Sequence, residues 1–190
     1  MNKRLRFQHA DFTTREDDGA KFIEGYFAVF NSVYQIGPGM AETIDAHAFD
    51  GTMDDDIRAL INHDTTLVIG RTKAGTLELR ADDHGLWGRV LINPNDQDAL
   101  NVYARVARGD VSQCSIGFDI LNEDTEVSGQ DVHWTIKEIR LYEVSICTFP
   151  AYEETEIQAR KDEGETLKKR ELEHWKARMS AKLKGEPKDA

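Results

Sequence analysis

The feature that most constrains the fold is a series of short strand-like runs, each followed by a turn signal. Between residues 67 and 92, three runs rich in large apolar and β-branched residues are separated by Lys73-Ala74-Gly75 and Asp82-Asp83-His84-Gly85. Short runs between glycine-containing turns predict hairpins. Further strands are predicted at 22–30, 56–63, 112–121 and 132–149, with a polar loop at 122–131. The pattern predicts a mainly β fold of the α+β class, a closed antiparallel β-barrel with flanking helices.

Two segments have helical instead of strand periodicity. Apolar residues recur at three- and four-residue spacing within 95–108, where Asn95 or Asp96 caps the start and Gly109 ends the helix. Beyond residue 152 the composition becomes dense in Lys, Arg and Glu, and 165–183 predicts a helix with a narrow apolar stripe. The stripe consists of Leu172, Trp175, Met179 and Leu183.

The change in composition predicts two parts, a β-barrel domain at 1–152 and a charged helical tail at 153–190. The apolar stripe of the tail is equally compatible with packing on the barrel and with binding to a partner. A single helix with so narrow an apolar face is marginal by itself. We therefore expect a loosely held tail, and we expect truncation after Glu156 to leave the domain folded.

Charge is distributed unevenly along the chain. The net charge is −11, from 35 acidic and 24 basic residues. Ten of each lie in 153–190, which leaves 25 acidic and 14 basic residues in 1–152. An acidic body is a poor binder of nucleic acid, because phosphate contacts need a basic face. No apolar run approaches the roughly 18 residues that span a bilayer, and the N-terminus lacks the apolar core of a secretory signal. Protein partners are therefore favoured over nucleic acid or a membrane.

His63 is the first candidate for chemistry. If 57–63 is a strand, alternation places His63 at the end of an apolar row that contains Ile57, Ala59 and Ile61. Catalytic groups often lie where a strand ends, although a histidine in this setting is more often structural. Further candidates are needed before His63 can be given a role.

Ser115 is the second candidate. In 112–118, alternation puts Ser115 and Gly117 on one side and Cys114 and Phe118 on the other. Cys114 therefore belongs with the core residues. Ser115 lies beside a position without a side chain, where a substrate backbone can approach closely. The segment is not the strained nucleophile elbow of the α/β-hydrolases.

Glu143 is the third candidate, because alternation places its carboxylate in an apolar row with Ile139, Leu141 and Cys147. A buried carboxylate is costly unless it is paired. One pairing is with a histidine, which the carboxylate would orient and whose cationic form it would stabilise. The other is a structural ion pair with a nearby arginine, for which the candidates are Arg58, Arg71 and Arg140.

The order of several short motifs resembles the prohead proteases of tailed phages, a family that is similar to the herpesvirus assemblins. The resemblance covers roughly residues 20–152, and the ordered set carries it, since no single motif is specific. The matching stretches are Gly25-Tyr26-Phe27-Ala28-Val29-Phe30, the 42–49 segment that ends His47-Ala48-Phe49, Asn62-His63-Asp64, Ile69-Gly70-Arg71-Thr72, Gly75-Thr76-Leu77, Asp83-His84-Gly85-Leu86, Ser115-Ile116-Gly117-Phe118, Glu143-Val144-Ser145 and Thr148-Phe149-Pro150-Ala151.

The resemblance implies a serine endopeptidase on a closed β-barrel, with Ser115 as nucleophile and His63 as general base. The third member is an acid in the phage proteins and a histidine in the herpesvirus relatives. Glu143 fits the acid, and His133 is the alternative third member if that member is a histidine. The implied substrates are the major capsid protein precursor or a scaffold segment, and the chain itself. Cleavage would take place inside the assembling prohead, in the cytoplasm of the bacterial host. Homo-oligomer formation is left open.

Other functions remain open at this stage. One is a non-enzymatic assembly protein, a barrel that binds capsid or scaffold subunits through its tail helix. Another is a metal hydrolase that uses His63, Asp64 and His133, although their spacing is not that of metal ligands. The chain has neither a metal-ligand spacing nor a glycine-rich phosphate loop, so we expect no metal and no cofactor.

Overall fold

The computed structural model describes residues 4–9, 12–149 and 154–185. Strands and two α-helices make up most of this part of the chain, which confirms the mainly β, α+β class. The strands are β1 (Arg4–His9), β2 (Thr13–Asp17), β3 (Ala20–Val29), β4 (Tyr34–Gly37), β5 (Met40–Ile44), β6 (Arg58–Ile61), β7 (Asp64–Arg71), β8 (Leu77–Ala81), β9 (Gly85–Ile92), β10 (Gln113–Ser128) and β11 (Asp131–Cys147). The helices are a short 3-10 turn (Thr72–Ala74), α1 (Gln97–Arg108) and α2 (Glu154–Gly185).

The strands form two sheets, and β11 organises the larger one. The seven-stranded sheet has the order β1-β10-β11-β5-β4, and β6 with β7 extends it from another part of β11. β11 pairs antiparallel with β10. On its other edge β11 pairs parallel with β5 along 132–136 and with β6 along 143–146. The four-stranded sheet has the antiparallel order β2-β3-β9-β8.

The prediction of a closed antiparallel barrel is therefore wrong in its detail. Within the described residues, hydrogen bonding gives two separate sheets, and two of the pairings of β11 are parallel. The physical reason for this open arrangement is the length of β11, whose 17 residues pair with three strands. The two sheets still approach one another, since the thiol of Cys114 in β10 donates to the carbonyl of Tyr26 in β3 at 3.4 Å.

The predicted polar loop at 122–131 is also wrong, because this segment is the far end of the β10–β11 hairpin. Ser128 pairs with Asp131 across a two-residue turn, in which Gly129 has a φ of +62°. The residues of β10 here are mostly exposed and polar, whereas Val132, Trp134 and Ile136 of β11 are buried. A polar face on an outer strand resembles a loop in composition, and only the pairing with β11 reveals the strand.

The core lies between the two sheets. Its largest fully buried side chains include Phe27 of the smaller sheet, Phe118 of the larger sheet, and Phe49 of the connection between β5 and β6. A second, smaller cluster lies beneath α2 and contains Ile36, Met40, Val132 and Trp134. α1 begins and ends as the sequence predicts, since Asp96 accepts from the N–H groups of Asp98 and Ala99 and Gly109 ends the helix with a φ of +85°.

The first half of α2 packs on the large sheet through a charged side chain and a glycine. Arg160 has a side chain that is only 3% exposed, stacks on the Trp134 ring and makes ion pairs with Glu42 and Glu123. Gly164 lies against Met40 and Trp134 so closely that an added Cβ would lie 2.7 Å from the Met40 sulfur. Lys168 is buried, and its amine donates to the carbonyl of Pro38 at 3.3 Å.

The apolar stripe of the tail lies farther along α2. Leu172 and Trp175 are 42% and 50% exposed, and Met179 is half-buried. The surroundings of Leu183 lie outside what the structure describes. The expectation that the tail is held loosely thus fits only its second half, and truncation after Glu156 would remove the contacts of Arg160 and Gly164. The boundary between residues 152 and 153 lies outside the described residues, so the division into two domains stays a prediction.

We expect Arg160→Ala to lower the free energy of unfolding by about 3 kcal/mol, because removing one partner of a buried ion pair leaves buried charge uncompensated. Urea denaturation measures the loss. Arg178→Ala is the matched control, since Arg178 is exposed and pairs only with Glu171 of its own helix among the described ion pairs, and it should change stability by less than about 0.5 kcal/mol. Equal effects of the two substitutions would contradict the packing of α2 on the sheet.

Candidate active site

His63 lies in the tight turn between β6 and β7. The strand predicted to reach His63 ends at Ile61, which pairs with Asp64 across Asn62 and His63. Both central residues have positive φ, +52° and +61°, as a type I′ hairpin turn requires. Asn62 fastens the turn to the end of β11, because its backbone N–H donates to the carbonyl of Ile146 and its side-chain oxygen accepts from the N–H of Thr148. The turn therefore holds the His63 backbone against β11.

Glu143 lies in β11 beside β6, and its carboxylate binds His63. The distance between His63 Nδ1 and Glu143 Oε1 is 2.6 Å, and the two side chains are 12% and 3% exposed. Two of the three arginines proposed as structural partners have other contacts, since Arg58 and Arg71 both form ion pairs with Asp56. The structure thus brings together the two residues that the sequence proposed as base and acid.

Ser145 forms hydrogen bonds with both members of this pair. Its hydroxyl donates to Glu143 Oε2 at 2.7 Å and accepts from the backbone N–H of His63 at 3.2 Å. Sequence reasoning gave Ser145 no role. Alternation along β11 was the available signal, because Ser145 lies two residues from Glu143 and therefore on the same face.

Ser115 lies on β10, directly opposite Ser145 in the β10–β11 ladder. Side chains of paired residues point to the same face of a sheet, so Ser115 shares its face with Ser145 and Glu143. Gly117 lies opposite Glu143 on that face. Ser115 is fully buried, and its Oγ has no hydrogen-bond partner in the part of the chain that is described. As alternation predicts, Cys114 lies in the main core.

A cleft of about 420 Å³ opens beside the imidazole of His63, and its other lining residues are Asn62, Cys147, Thr148 and Phe149. Cys147 Sγ lies 3.8 Å from His63 Nε2. Burial, together with the nearby Glu143 carboxylate, raises the pKa of the Cys147 thiol to about 12. A thiol is nucleophilic only as the thiolate, so burial and the carboxylate disfavour the reactive form of Cys147 at neutral pH.

The other candidates lie elsewhere. His133 binds the hydroxyl of Thr43 through Nε2 at 3.0 Å. Ten residues along β11 place it roughly 30 Å from Glu143. Asp64 starts β7, and its carboxylate accepts hydrogen bonds from the N–H and the hydroxyl of Thr66.

No group of three or more His, Cys, Asp or Glu residues within the described ranges is placed to hold a metal. No helix in the same ranges is long and apolar enough to cross a membrane.

A carboxylate that fixes one nitrogen of a histidine at the edge of a cleft is an arrangement of hydrolases that use general acid–base catalysis. Comparison with known proteins then identifies the family. The sequence model described as caudovirus prohead serine protease matches residues 9–170. The chain belongs to this family, and its function is that of a capsid maturation protease, which confirms the resemblance found in the sequence.

Two known proteins illustrate the relationship. The chain is 30% identical over 180 residues to the prohead protease of Enterobacteria phage HK97, a match that covers 91% of this chain and 75% of that protein. The structure is similar to that of the bacteriophage T4 capsid assembly protease, gp21, with a TM-score of 0.45 and 10% sequence identity. That match covers 79% of this chain and 100% of the T4 chain.

We expect Cys147 to resist alkylation in the folded protein. With its pKa raised from 9.0 to about 12, the thiolate fraction at pH 8 falls roughly a thousandfold, because each pKa unit changes it tenfold. Iodoacetamide should therefore label Cys147 slowly in buffer and rapidly in urea, as followed by intact mass. The Cys114→Ala variant leaves Cys147 as the one thiol, so any added mass in that variant is a label on Cys147. Rapid labelling of the native variant would show that the thiol is exposed or ionised.

Proposed function

We propose that this chain is a serine endopeptidase in which Ser115 is the nucleophile, His63 the general base and Glu143 the residue that orients the base. The observation that carries the proposal is the 2.6 Å hydrogen bond between His63 Nδ1 and the buried Glu143 carboxylate. A proton on Nδ1 directed at the carboxylate leaves Nε2 unprotonated, which is the form of imidazole that accepts a proton from a serine. Glu143 would then stabilise the imidazolium that forms.

Ser115 is favoured as the nucleophile over the two cysteines. The thiol of Cys147 is held protonated, and Cys114 belongs to the core. Ser115 lies on the same face as Glu143, beside Gly117, where a substrate backbone can approach. In the reaction, Ser115 Oγ attacks the scissile carbonyl while His63 takes its proton, and His63 then gives that proton to the leaving amine. Water releases the acyl group in a second round of the same steps.

The burial of Ser115 adds a requirement to this mechanism. Its Oγ is fully buried and has no partner in the described structure, so cleavage requires an opened state in which Oγ meets Nε2 and the substrate. The edge of β10 beside the nucleophile is itself covered by β1, which ends the order of the large sheet and pairs Phe7 with Ser115. Catalytic hydrogen bonds often form only in the complex with substrate.

The substrate is a protein of the assembling capsid. The names of the relatives describe proteases of the prohead and of capsid assembly, and we assign to this chain the capsid protein precursor or a scaffold segment as substrate. The acidic balance of residues 1–152 favours basic or neutral protein segments over nucleic acid. The place of action is the interior of the assembling prohead.

We expect Ser115→Ala and His63→Ala to abolish cleavage of the co-expressed capsid precursor, and the double variant to be no worse, because the residues act as one unit. Glu143→Gln should reduce the rate strongly but less completely, since the amide still fills the space beside His63 without its charge. Intact mass of the precursor measures cleavage.

Cys114→Ala and His133→Ala are the controls, and their cleavage rates should stay within a few-fold of the wild-type rate. An active Ser115→Ala variant would favour a non-enzymatic assembly protein or another nucleophile, and a dead His133→Ala beside an active Glu143→Gln would transfer the third role to His133.

We also expect the chain to cut itself between Tyr152 and Ala190, two residues that lie outside the described structure. Proteolysis needs a segment that unfolds locally, and the contacts of Arg160, Gly164 and Lys168 hold the first half of α2 in place. The cut should therefore fall after Lys168 and leave these contacts intact. Intact mass should show a shortened wild-type product that is absent in Ser115→Ala. A product that ends before Arg160 would contradict this placement.

A further inference from the structure

We infer that Ser145 is a positioning residue for the reaction, one that holds both members of the His63–Glu143 pair in place. This inference rests on the proposed function, and it concerns a residue outside the proposed triad. Its basis is a pair of hydrogen bonds from one hydroxyl. Ser145 Oγ donates to Glu143 Oε2 at 2.7 Å and accepts from the backbone N–H of His63 at 3.2 Å.

The bond to Glu143 fixes the orientation of the carboxylate. Oε1 binds His63 Nδ1 and Oε2 binds the Ser145 hydroxyl. With both oxygens held, the carboxylate plane has a defined rotation, so the direction in which Glu143 holds the imidazole is defined as well. Glu143 and Ser145 are two residues apart on β11, and the regular strand sets their separation.

The bond to the His63 backbone fixes the other member of the pair. His63 has a φ of +61°, a conformation that a residue with a Cβ adopts only when its surroundings hold it there. The backbone N–H of His63 donates a hydrogen bond to Ser145 Oγ on β11. The same oxygen therefore links the backbone of the base to the carboxylate of the acid, and a shift of either one strains the other.

The hydroxyl is also well protected from competing partners. Ser145 is fully buried, so water cannot replace its bonds in the folded state. Its proton is directed at a carboxylate and not at an imidazole, which is the arrangement of a support and not of an activated nucleophile. Ser115 lies directly opposite on β10, so the Ser145 hydroxyl shares a face of the sheet with the proposed nucleophile.

Removing the hydroxyl should lower kcat more than it changes KM. Ser145→Ala leaves the triad side chains present but removes the bonds that align them, and misplacement of a catalytic group by about 1 Å can cost roughly a hundredfold in rate. We expect kcat to fall about 10- to 100-fold with KM within about threefold. Ser145→Thr retains a hydroxyl and should recover part of the rate, whereas Ser145→Cys keeps the size with a weak donor and should not.

The experiment has an activity arm and a spectroscopic arm. In the first, purified full-length variants cleave the capsid precursor, and kcat and KM are measured separately. In the second, proton NMR follows the low-field signal of the His63 Nδ1–H in the Ser115→Ala background, where no cleavage is needed. The signal should be sharp in Ser115→Ala, broadened or lost when Ser145→Ala is added, and restored with Ser145→Thr.

Thr52→Val is the matched control. Thr52 Oγ1 is equally buried, accepts from the backbone N–H of Leu141 on β11 and donates to the carboxylate of Asp55. It thus makes the same two kinds of bond without touching the pair. Thr52→Val should lower stability, as read by thermal unfolding, while kcat and the His63 signal stay at their reference values.

The outcomes separate the two proposals. A Ser145→Ala enzyme with unchanged kcat and an unchanged His63 signal would overturn the positioning role. A second outcome combines two results: Ser115→Ala still cleaves, and Ser145→Ala loses the His63 signal. This outcome would refute the proposed nucleophile and keep the positioning role. Cleavage that survives Ser115→Ala but not Ser145→Ala, with the His63 signal intact in both, would make Ser145 the nucleophile and overturn this inference. An equal loss of kcat in Thr52→Val would also overturn it, since the effect would then be one of stability.

Discussion

The backbone ladder along β11 is the constraint on which the rest of the molecule depends. One strand pairs with β10 on one edge and with β5 and then β6 on the other. These pairings bring the β6–β7 turn against the same short stretch of β11 that faces Ser115 on β10. The chemistry then follows from alternation, because residues 143, 145 and 147 of one strand present their side chains to one face. The hydrogen bonding of the sheet therefore sets the relative positions of these side chains.

Much of this arrangement could be predicted from local sequence patterns. Alternation separated Ser115 from Cys114 and placed Glu143 in an apolar row, and the capping residues of α1 marked its ends. The parts that could not be predicted depend on pairing between distant segments. Nothing local signals that the backbone N–H of His63 is bound by a serine 82 residues farther along the chain. Likewise, a sequence pattern treats Arg160 as a surface charge, because the carboxylates that allow its burial come from residues 42 and 123.

Two buried carboxylates show how the fold uses charge in different ways. Glu42 is matched by Arg160 of α2 at 3.1 Å, with Arg6 of β1 at 4.0 Å. Arginine is always charged. The ion pairs of Arg6 and Arg160 with Glu42 therefore hold β1 and α2 on the sheet at any ordinary pH. Glu143 is matched by the imidazole of His63 and by the hydroxyl of Ser145, and of these two only an imidazole is a group that takes and gives a proton near neutral pH. The arginines thus hold structural elements together, whereas the histidine lies at the cleft.

The position of β10 and β11 in the chain has a consequence for the timing of synthesis. His63 is made early, but Ser115, Glu143 and Ser145 belong to the last two strands, and β1 finds its partner only when β10 exists. A ribosome adds about 5–20 residues per second, and strand pairs so distant in sequence form slowly after that. No part of the sheet made earlier contains both halves of the site. In a nascent chain, the surroundings of the His63–Glu143 pair are therefore incomplete until both of the last two strands have been made and paired.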